Sequence, residues 1–386
     1  MGMVSCPECH SLLIKKDGWL TRTQMTKSGK RDRLVQMYRC HNGHRFSRQE
    51  VAYWSDSFIE YVVYIYLRCL SLNTTIDIIR ATFDEDVLTK RLILDFIEVV
   101  ADTLPSSDEI DYLYHPHLSG YLAFDGVWFN FQDEQVVLLV GFDPVTFDVV
   151  GAVWHEDEDS EGYTKLIDNI LNKIPVSQVK GIYGDGDKGL MKSLKLRLPQ
   201  TPFQLCVVHK DLKMGKLVPI KSVNHSRRMS LARKQEITAF AHHFEACLYA
   251  DTKRQALEAL LSLKRFITSH SDPAFQKAFR ALKYNFTYTL THFDHPEMMR
   301  DNNLLECFNG CLKPRLQLMK SFKKRENLNR YLNLFILEYR FRPLRESRFK
   351  QRRGKTPLEL SGVTFDRYYN FINLLRTQLK LKYQLP

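Results

Sequence analysis

Apolar residues first recur regularly from Asp56-Ser57-Phe58 to Leu70, at the spacing of a helix, and the pattern breaks at Ser71-Leu72-Asn73. Thr74 is placed to cap a second helix through Ile76, Ile78, Ile79 and Phe83. A third helix is predicted from Asp86 to Leu104, with Val87, Leu88, Leu92, Ile93, Phe96, Ile97 and Val100 on its apolar positions. Pro105-Ser106-Ser107-Asp108 reads as a linker. The period then changes. Tyr121 to Asn130, Gln135 to Phe142 and Phe147 to Trp154 are β-rich runs separated by turn residues, as in an antiparallel meander. A helix follows from Ser160 to Ile174, then a strand from Val179 to Tyr183, a helix from Lys188 to Leu198 and a strand from Phe203 to Val208. Between 230 and 290 only helical periodicity remains, with Ile237, Phe240, Phe244 and Leu248 and then Ala256 through Phe266.

Three strands followed by alternating helix and strand is the order expected of an RNase H-like α/β fold. Asp125 falls inside the first strand, in Leu122-Ala123-Phe124-Asp125-Gly126, where an unpaired charge is costly to bury. Asp185 closes the fourth strand, in Ile182-Tyr183-Gly184-Asp185-Gly186. In this order of elements the first and fourth strands are neighbours, so the two carboxylates face one another. A divalent cation relieves their repulsion, and with a second ion about 4 Å away it suits attack on phosphorus. A pair of turn aspartates beside Gly126 and Gly186 is the simpler reading, and it accounts for Asp185 better than for Asp125. Asp187 rivals Asp185 but sits where a following helix begins. Glu306 opens a long helical pattern and shares a face with Asn309 and Lys313, which suits a third metal ligand beside two phosphate contacts.

Composition narrows the partner. Of 386 residues, 44% are hydrophobic and 26% charged, so the chain has material for two or three packed units. Its net charge of +12 points to a polyanion, most commonly nucleic acid. Apolar runs such as Phe58 to Leu67 are too short to span a bilayer. Cys6, Glu8, Cys9 and His10 occupy the place of a signal-peptide core. A cytoplasmic, nucleoid-associated protein with no membrane partner is therefore expected. Cys69, Cys247, Cys307 and Cys311 lie in apolar or amphipathic runs and read as packing residues or free thiols. Cys6-Pro7-Glu8-Cys9 and Cys40-His41-Asn42-Gly43-His44 are different. Two short ligand pairs joined by a longer excursion suit one structural Zn²⁺ held by Cys6, Cys9, Cys40 and His44, with His41 and then His10 as rivals for the fourth place. The excursion is rich in Lys and Arg, as a DNA-contacting hairpin or a solvated loop would be. The three helices after it match a helix-turn-helix reader and equally a helical spacer.

Taken in order, Asp185-Gly186-Asp187-Lys188-Gly189-Leu190, Phe203-Gln204-Leu205-Cys206-Val207-Val208-His209 and Asn303-Leu304-Leu305-Glu306 with Asn309 resemble the DDE transposases of the Mutator-like insertion-sequence superfamily. The resemblance covers roughly residues 120 to 345. It implies that Asp125, Asp185 and Glu306 are catalytic and hold two Mg²⁺ or Mn²⁺ ions, that transposon ends are nicked by water, and that the freed 3′-hydroxyl attacks target DNA. It also implies an all-helical insertion, because the gap from Asp185 to Glu306 is about twice that from Asp125 to Asp185. Gly43 stands where such a ribbon often carries a fourth cysteine, so His44 must substitute. Cys206 and His209 either support the strand end beside the catalytic centre or bind a second zinc with His292 and His295.

Between residues 313 and 355 fifteen Lys or Arg oppose three Glu, an excess equal to the formal charge of the whole chain. Helical spacing of Leu328, Leu332, Phe335, Ile336 and Tyr339 buries one stripe and turns the cations outward. Phosphate contacts are expected from Asn309, Lys313, Arg315, Lys323, Lys324 and Arg325. A last amphipathic helix is predicted from Phe365 to Leu381. The organisation expected is a zinc ribbon over 1–50, a helix-turn-helix-like DNA-binding region over 51–108, an RNase H-like core over 115–210 and 301–345 interrupted by helices over 211–300, and a basic tail over 346–386. Double-stranded DNA and a homodimer or higher oligomer are the expected partners. A non-catalytic zinc-dependent DNA-binding protein and a hydrolytic nuclease are the alternatives.

Overall fold

The computed structural model describes residues 5–48, 52–69, 71–84, 86, 88–225, 229–319, 321–347, 349–365, 371, 372 and 374. The chain divides into two compact units, one of residues 1–106, 329–338 and 366–386, the other of 107–328 and 339–365.

The first unit opens with an antiparallel sheet of β1 (Ile14–Thr26), β2 (Gly29–Cys40) and β3 (Arg45–Ser47). β1 and β2 form a hairpin closed by a two-residue turn, with Thr26 paired to Gly29. Most of its side chains face solvent, and only Met25, Val35, Met37 and a few neighbours are covered. The sheet continues into helices through Trp54, which stacks on Phe58 at 5.2 Å and meets Phe96 edge-on at 5.6 Å. Helices α1 (Asp56–Cys69), α2 (Leu72–Phe83) and α3 (Lys90–Thr103) bury Phe58, Val62, Val63, Leu67, Ile79, Ile93, Ile97 and Val100, the faces that periodicity selects. Two boundaries differ from expectation. Ser71, not Thr74, caps α2, accepting from the Thr74 amide. Thr89 caps α3 at the Leu92 amide, so that helix starts later than Asp86, and Val87 lies outside the described residues.

The second unit begins with α4 (Ser107–Tyr114), so the expected linker is half helix. A five-stranded mixed sheet follows: β4 (Tyr121–Phe131), β5 (Glu134–Asp143), β6 (Asp148–His155), β7 (Gly181–Gly184) and β8 (Phe203–Leu205), in the order β6-β5-β4-β7-β8. β4, β5 and β6 pair antiparallel, while β7 and β8 join in parallel. One face is covered by α5 (Ser160–Leu171) and α6 (Lys188–Arg197), which bury Tyr163, Leu166, Ile167, Ile170, Leu190 and Leu194 against Leu122, Phe124, Val137 and Leu139. Gly141 allows the closeness of α5: a Cβ there would stand 2.3 Å from Ile170 Cδ1.

β8 stops at Leu205, three residues short of the predicted strand, because Val207 already begins α7 (Val207–Leu217). Helices α8 (Leu231–Leu248), α9 (Lys253–Ser269), α10 (Pro273–Lys283) and α11 (Thr291–Asp294) complete an array with its own core of Phe240, Phe244, Leu263, Phe275 and Leu282. Lys210 crosses this array, donating from its buried ammonium to the carbonyls of Ala281, Leu282 and Tyr284 at the end of α10. Gln204, fully buried in β8, fastens the array to the sheet through the Thr289 and Arg300 carbonyls and the His292 amide. α12 (Asn303–Leu318) covers the other sheet face at β4 and β5, with Phe308 stacked on Phe142 at 6.2 Å.

α13 (Arg325–Arg340) and α14 (Pro357–Leu360) close the described chain. The outward orientation expected for the cations here holds only in part. Arg340 is buried, with its guanidinium on both oxygens of buried Asp148 (2.8 and 2.7 Å) and on Asp111 (2.6 Å). Arg68 pairs with buried Glu338 at 3.0 Å, and Arg330 grips Asp102 with two nitrogens at 2.6 and 2.8 Å. The predicted helix from Phe365 to Leu381 lies almost wholly outside the described residues. No described helix is long and apolar enough to cross a membrane.

Candidate active site

Register explains why two distant aspartates meet. Tyr121, Leu122 and Ala123 of β4 stand beside Gly181, Ile182 and Tyr183 of β7. Two residues further along come Asp125, still within β4, and Asp185, just past the end of β7 and near enough to act on the Asp125 carboxylate. α12 lies across β4. From it Asn309 donates to Asp125 Oδ2 at 2.6 Å, and Asn302 at its start reaches the Phe124 carbonyl. Glu306, one turn before Asn309, faces His209 in the first turn of α7, with Oε1 to Nε2 at 3.1 Å. One ligand atom each from Asp125, His209 and Glu306 lie within 4.8 Å of one another. Asp185 adjoins this group and accepts from the Asp187 amide at 2.9 Å. Asp187 itself caps α6 at the Gly189 amide, the helix-start position its sequence suggests.

The carboxylates compete for protons. Burial, with Glu306 and Asp185 nearby, pushes Asp125 up to about 7 despite the opposing pull of His209. His209 is pushed up to about 11 by the Cys206 sulfur beside it and by Glu306, whose own carboxyl is lowered by that contact. Acidic groups with opposed proton affinities, gathered where α7 and α12 begin beside β4, suit a divalent cation: the carboxylates are hard oxygen donors, and His209 supplies the positive charge that a cation would replace.

Sequence reasoning missed Glu158, in the loop after β6. Its carboxylate takes the Tyr163 hydroxyl at 2.6 Å, and burial together with Asp185 and Asp187 raises its pKa. The signal was present as the acidic run Glu156-Asp157-Glu158-Asp159 after a strand end.

Several expected roles change. Asn309 faces Asp125 and is buried, so it does not point at solvent for a phosphate. Arg315 is also buried, in the interior of the unit. Lys313 and Lys324 are exposed, Lys323 pairs with Asp133, and Arg325 lies 4.9 Å over the Trp154 ring. Cys206, His209, His292 and His295 do not converge: among the described residues, three or more such ligands gather at two places only, and neither includes Cys206, His292 or His295. Cys206 instead accepts from the Asn302 amide at 3.3 Å, while His292 turns to Gln204.

The other gathering is Cys6, Cys9, Cys40 and His44, whose ligand atoms also lie within 4.8 Å of one another. The Cys9 and Cys40 sulfurs are 3.7 Å apart, and Cys6 Sγ is 3.7 Å from His44 Nδ1. A tetrahedral ion with bonds of about 2.3 Å needs ligand edges of about 3.8 Å, so the set fits zinc. Gly43, at φ 85°, makes the turn that brings His44 rather than His41 inward, and the Cys40 amide donates to the His44 carbonyl. Glu8 approaches His44 Nε2 at 3.4 Å and so orients the ring. The Cys9 thiol is lowered to about 6, chiefly by the Ser11 amide.

A family model described as Transposase, Mutator family, matches residues 145–342. The chain belongs to this transposase family. The transposase for insertion sequence element IS1201 of Lactobacillus helveticus is 21% identical over 215 residues, 54% of this chain and 53% of that protein. The transposase for IS905 of Lactococcus lactis subsp. lactis (strain IL1403) is 22% identical over 202 residues, 50% of this chain and 46% of that protein. The chain thus spans about half the length of the curated relatives it matches. A chain of the simian T-cell lymphotropic virus intasome, solved with a PP2A regulatory subunit, aligns with 50% of this chain and 69% of its own at 8% identity, with a TM-score of 0.20, a superposition too loose to bear on the fold. The match that places the chain among Mutator-family transposases takes in Asp185, His209 and Glu306 but begins after Asp125.

Proposed function

We propose that this Mutator-family transposase cleaves the ends of its element and joins their 3′-hydroxyls to target DNA at the cluster of Asp125, Asp185 and Glu306. The observation that supports this reading is the convergence of Asp125 in β4 with Glu306 of α12, beside Asp185 just past the end of the neighbouring parallel strand β7. The strand order supports an RNase H-like core. Asp125, Asp185 and Glu306 would hold two Mg²⁺ or Mn²⁺ ions, which supply a lowered-pKa nucleophile and neutralise charge on phosphorus. Around them, Asn309 fixes the rotamer of Asp125 and His209 fixes that of Glu306, so both carboxylates are held in place before DNA arrives. The Cys6, Cys9, Cys40 and His44 cluster would bind one structural zinc in a ribbon whose basic hairpin contacts DNA, and two or more copies would act together on the element's ends, in the nucleoid.

The test uses the full chain with Mg²⁺ and DNA carrying the sequences that flank its own gene. Asp125→Asn, Asp185→Asn and Glu306→Gln should each abolish cutting and joining while leaving retardation of that DNA intact. Strand transfer that survives any of the three removes that residue from the catalytic set.

A further inference from the structure

In the reading above His209 only orients Glu306, yet its ring is anchored from two sides. The Cys206 amide donates to the Gly184 carbonyl, which ties the start of α7 to the sheet. Cys206 Sγ accepts from the Asn302 amide at 3.3 Å, which ties the same turn to the start of α12. Between these anchors His209 Nδ1 is buried, and Nε2 points to Glu306. The ligand atoms of Asp125, His209 and Glu306 fit within 4.8 Å of one another, a compass that does not include Asp185.

The two positions around Asp125 therefore differ in chemistry. One, toward Asp185, is lined by carboxylates, with Glu158 behind it. The other offers two carboxylates and an imidazole nitrogen. Magnesium favours oxygen donors and retains its waters, whereas imidazole favours first-row transition ions. We propose that the metal displaces the Nε2 proton of His209 to solvent and takes that nitrogen as a direct ligand, completing with Asp125 and Glu306 a site that prefers Mn²⁺ to Mg²⁺. The position toward Asp185 stays open to Mg²⁺. This rests on the metal-dependent reading above and adds a nitrogen ligand and a metal preference to it.

Mn²⁺ reports its own ligands. Full-length, zinc-loaded protein is titrated with Mn²⁺ in the absence of DNA, binding is followed by loss of the free-ion EPR signal, and the bound ion is examined by electron spin-echo envelope modulation. The wild type should bind Mn²⁺ and show ¹⁴N modulation. His209→Gln should still bind Mn²⁺ but lose that modulation, and its preference for Mn²⁺ over Mg²⁺ should fall about tenfold. His292→Gln should leave both unchanged. Bound Mn²⁺ without nitrogen coupling in the wild type, or coupling that survives His209→Gln, overturns the assignment and leaves His209 as a hydrogen-bond partner of Glu306. A wild type that binds no Mn²⁺ at all would instead overturn the metal-dependent reading itself.

Discussion

Asp125 concentrates the physical tension of the cluster in one side chain. Burial pushes its carboxyl up to about 7 in the folded chain, well above a free aspartate. A raised carboxylate makes the folded state hold a proton that the unfolded state has already lost. Stability from this group is therefore fully present below about pH 4 and falls as pH rises towards 7, by roughly 4 kcal/mol in all. Asn at this position keeps an oxygen to accept from Asn309 and carries no charge. Metal-free Asp125→Asn should accordingly melt above the wild type at pH 8 and close to it at pH 4, and Mg²⁺ or Mn²⁺ should raise the melting temperature of the wild type only. Thermal scans at the two pH values with and without metal check this, and an equal offset at both would discard burial as the cause.

Among elements, the hairpin of β1 and β2 and the end of α13 are held in opposite ways. The β1–β2–β3 sheet hides few side chains, so little apolar burial holds it, and a zinc ion at its base would carry a large share of its stability. About one zinc per chain is expected after desalting. Its removal by a chelator, or Cys40→Ala, should expose the sheet to proteolysis while residues 107–328 stay resistant; an unaltered digest would refute a structural role for the cluster. Arg340 shows the buried alternative. It joins the end of α13 to the start of β6 through Asp148 and to α4 through Asp111. Arg340→Met would strand a fully buried carboxylate and should cost about 3–5 kcal/mol in denaturant unfolding. Adding Asp148→Leu should return a large part of that loss, whereas strictly additive losses would show that the pair is not coupled.

Across the whole molecule, the count of 56 Lys and Arg overstates the cations free to meet an anion. Arg315 and Arg340 are inside, Lys323 is paired with Asp133, and Arg68 and Arg330 are spent on Glu338 and Asp102. Lys313 and Lys324 remain exposed. If they touch phosphates, each change to Gln should reduce the slope of log affinity against log salt by about 1, with similar effect on any DNA sequence. Arg315→Gln should instead lower stability and leave that slope unchanged in the folded fraction. Fluorescence anisotropy at several salt concentrations separates the two, and a slope unmoved by the lysine changes would put the DNA path elsewhere.

The elements were legible from the chain itself because side-chain period is a local property: alternate residues share a strand face, and every third or fourth shares a helix face. That is why the apolar faces of α1, α3 and α8 and the strand around Asp125 could be read directly, and why an aspartate in that strand stood out. The ordered motifs around Asp185, His209 and Glu306 likewise announced the family. What the chain could not reveal was which donors finally meet. Asn309 swings to Asp125, His209 goes to Glu306 rather than to His292, and Arg340 finds Asp148 across 192 residues. Each of these depends on the packing of elements far apart in sequence, where a long polar side chain takes whichever buried partner best offsets its lost hydration, and no local spacing encodes that choice.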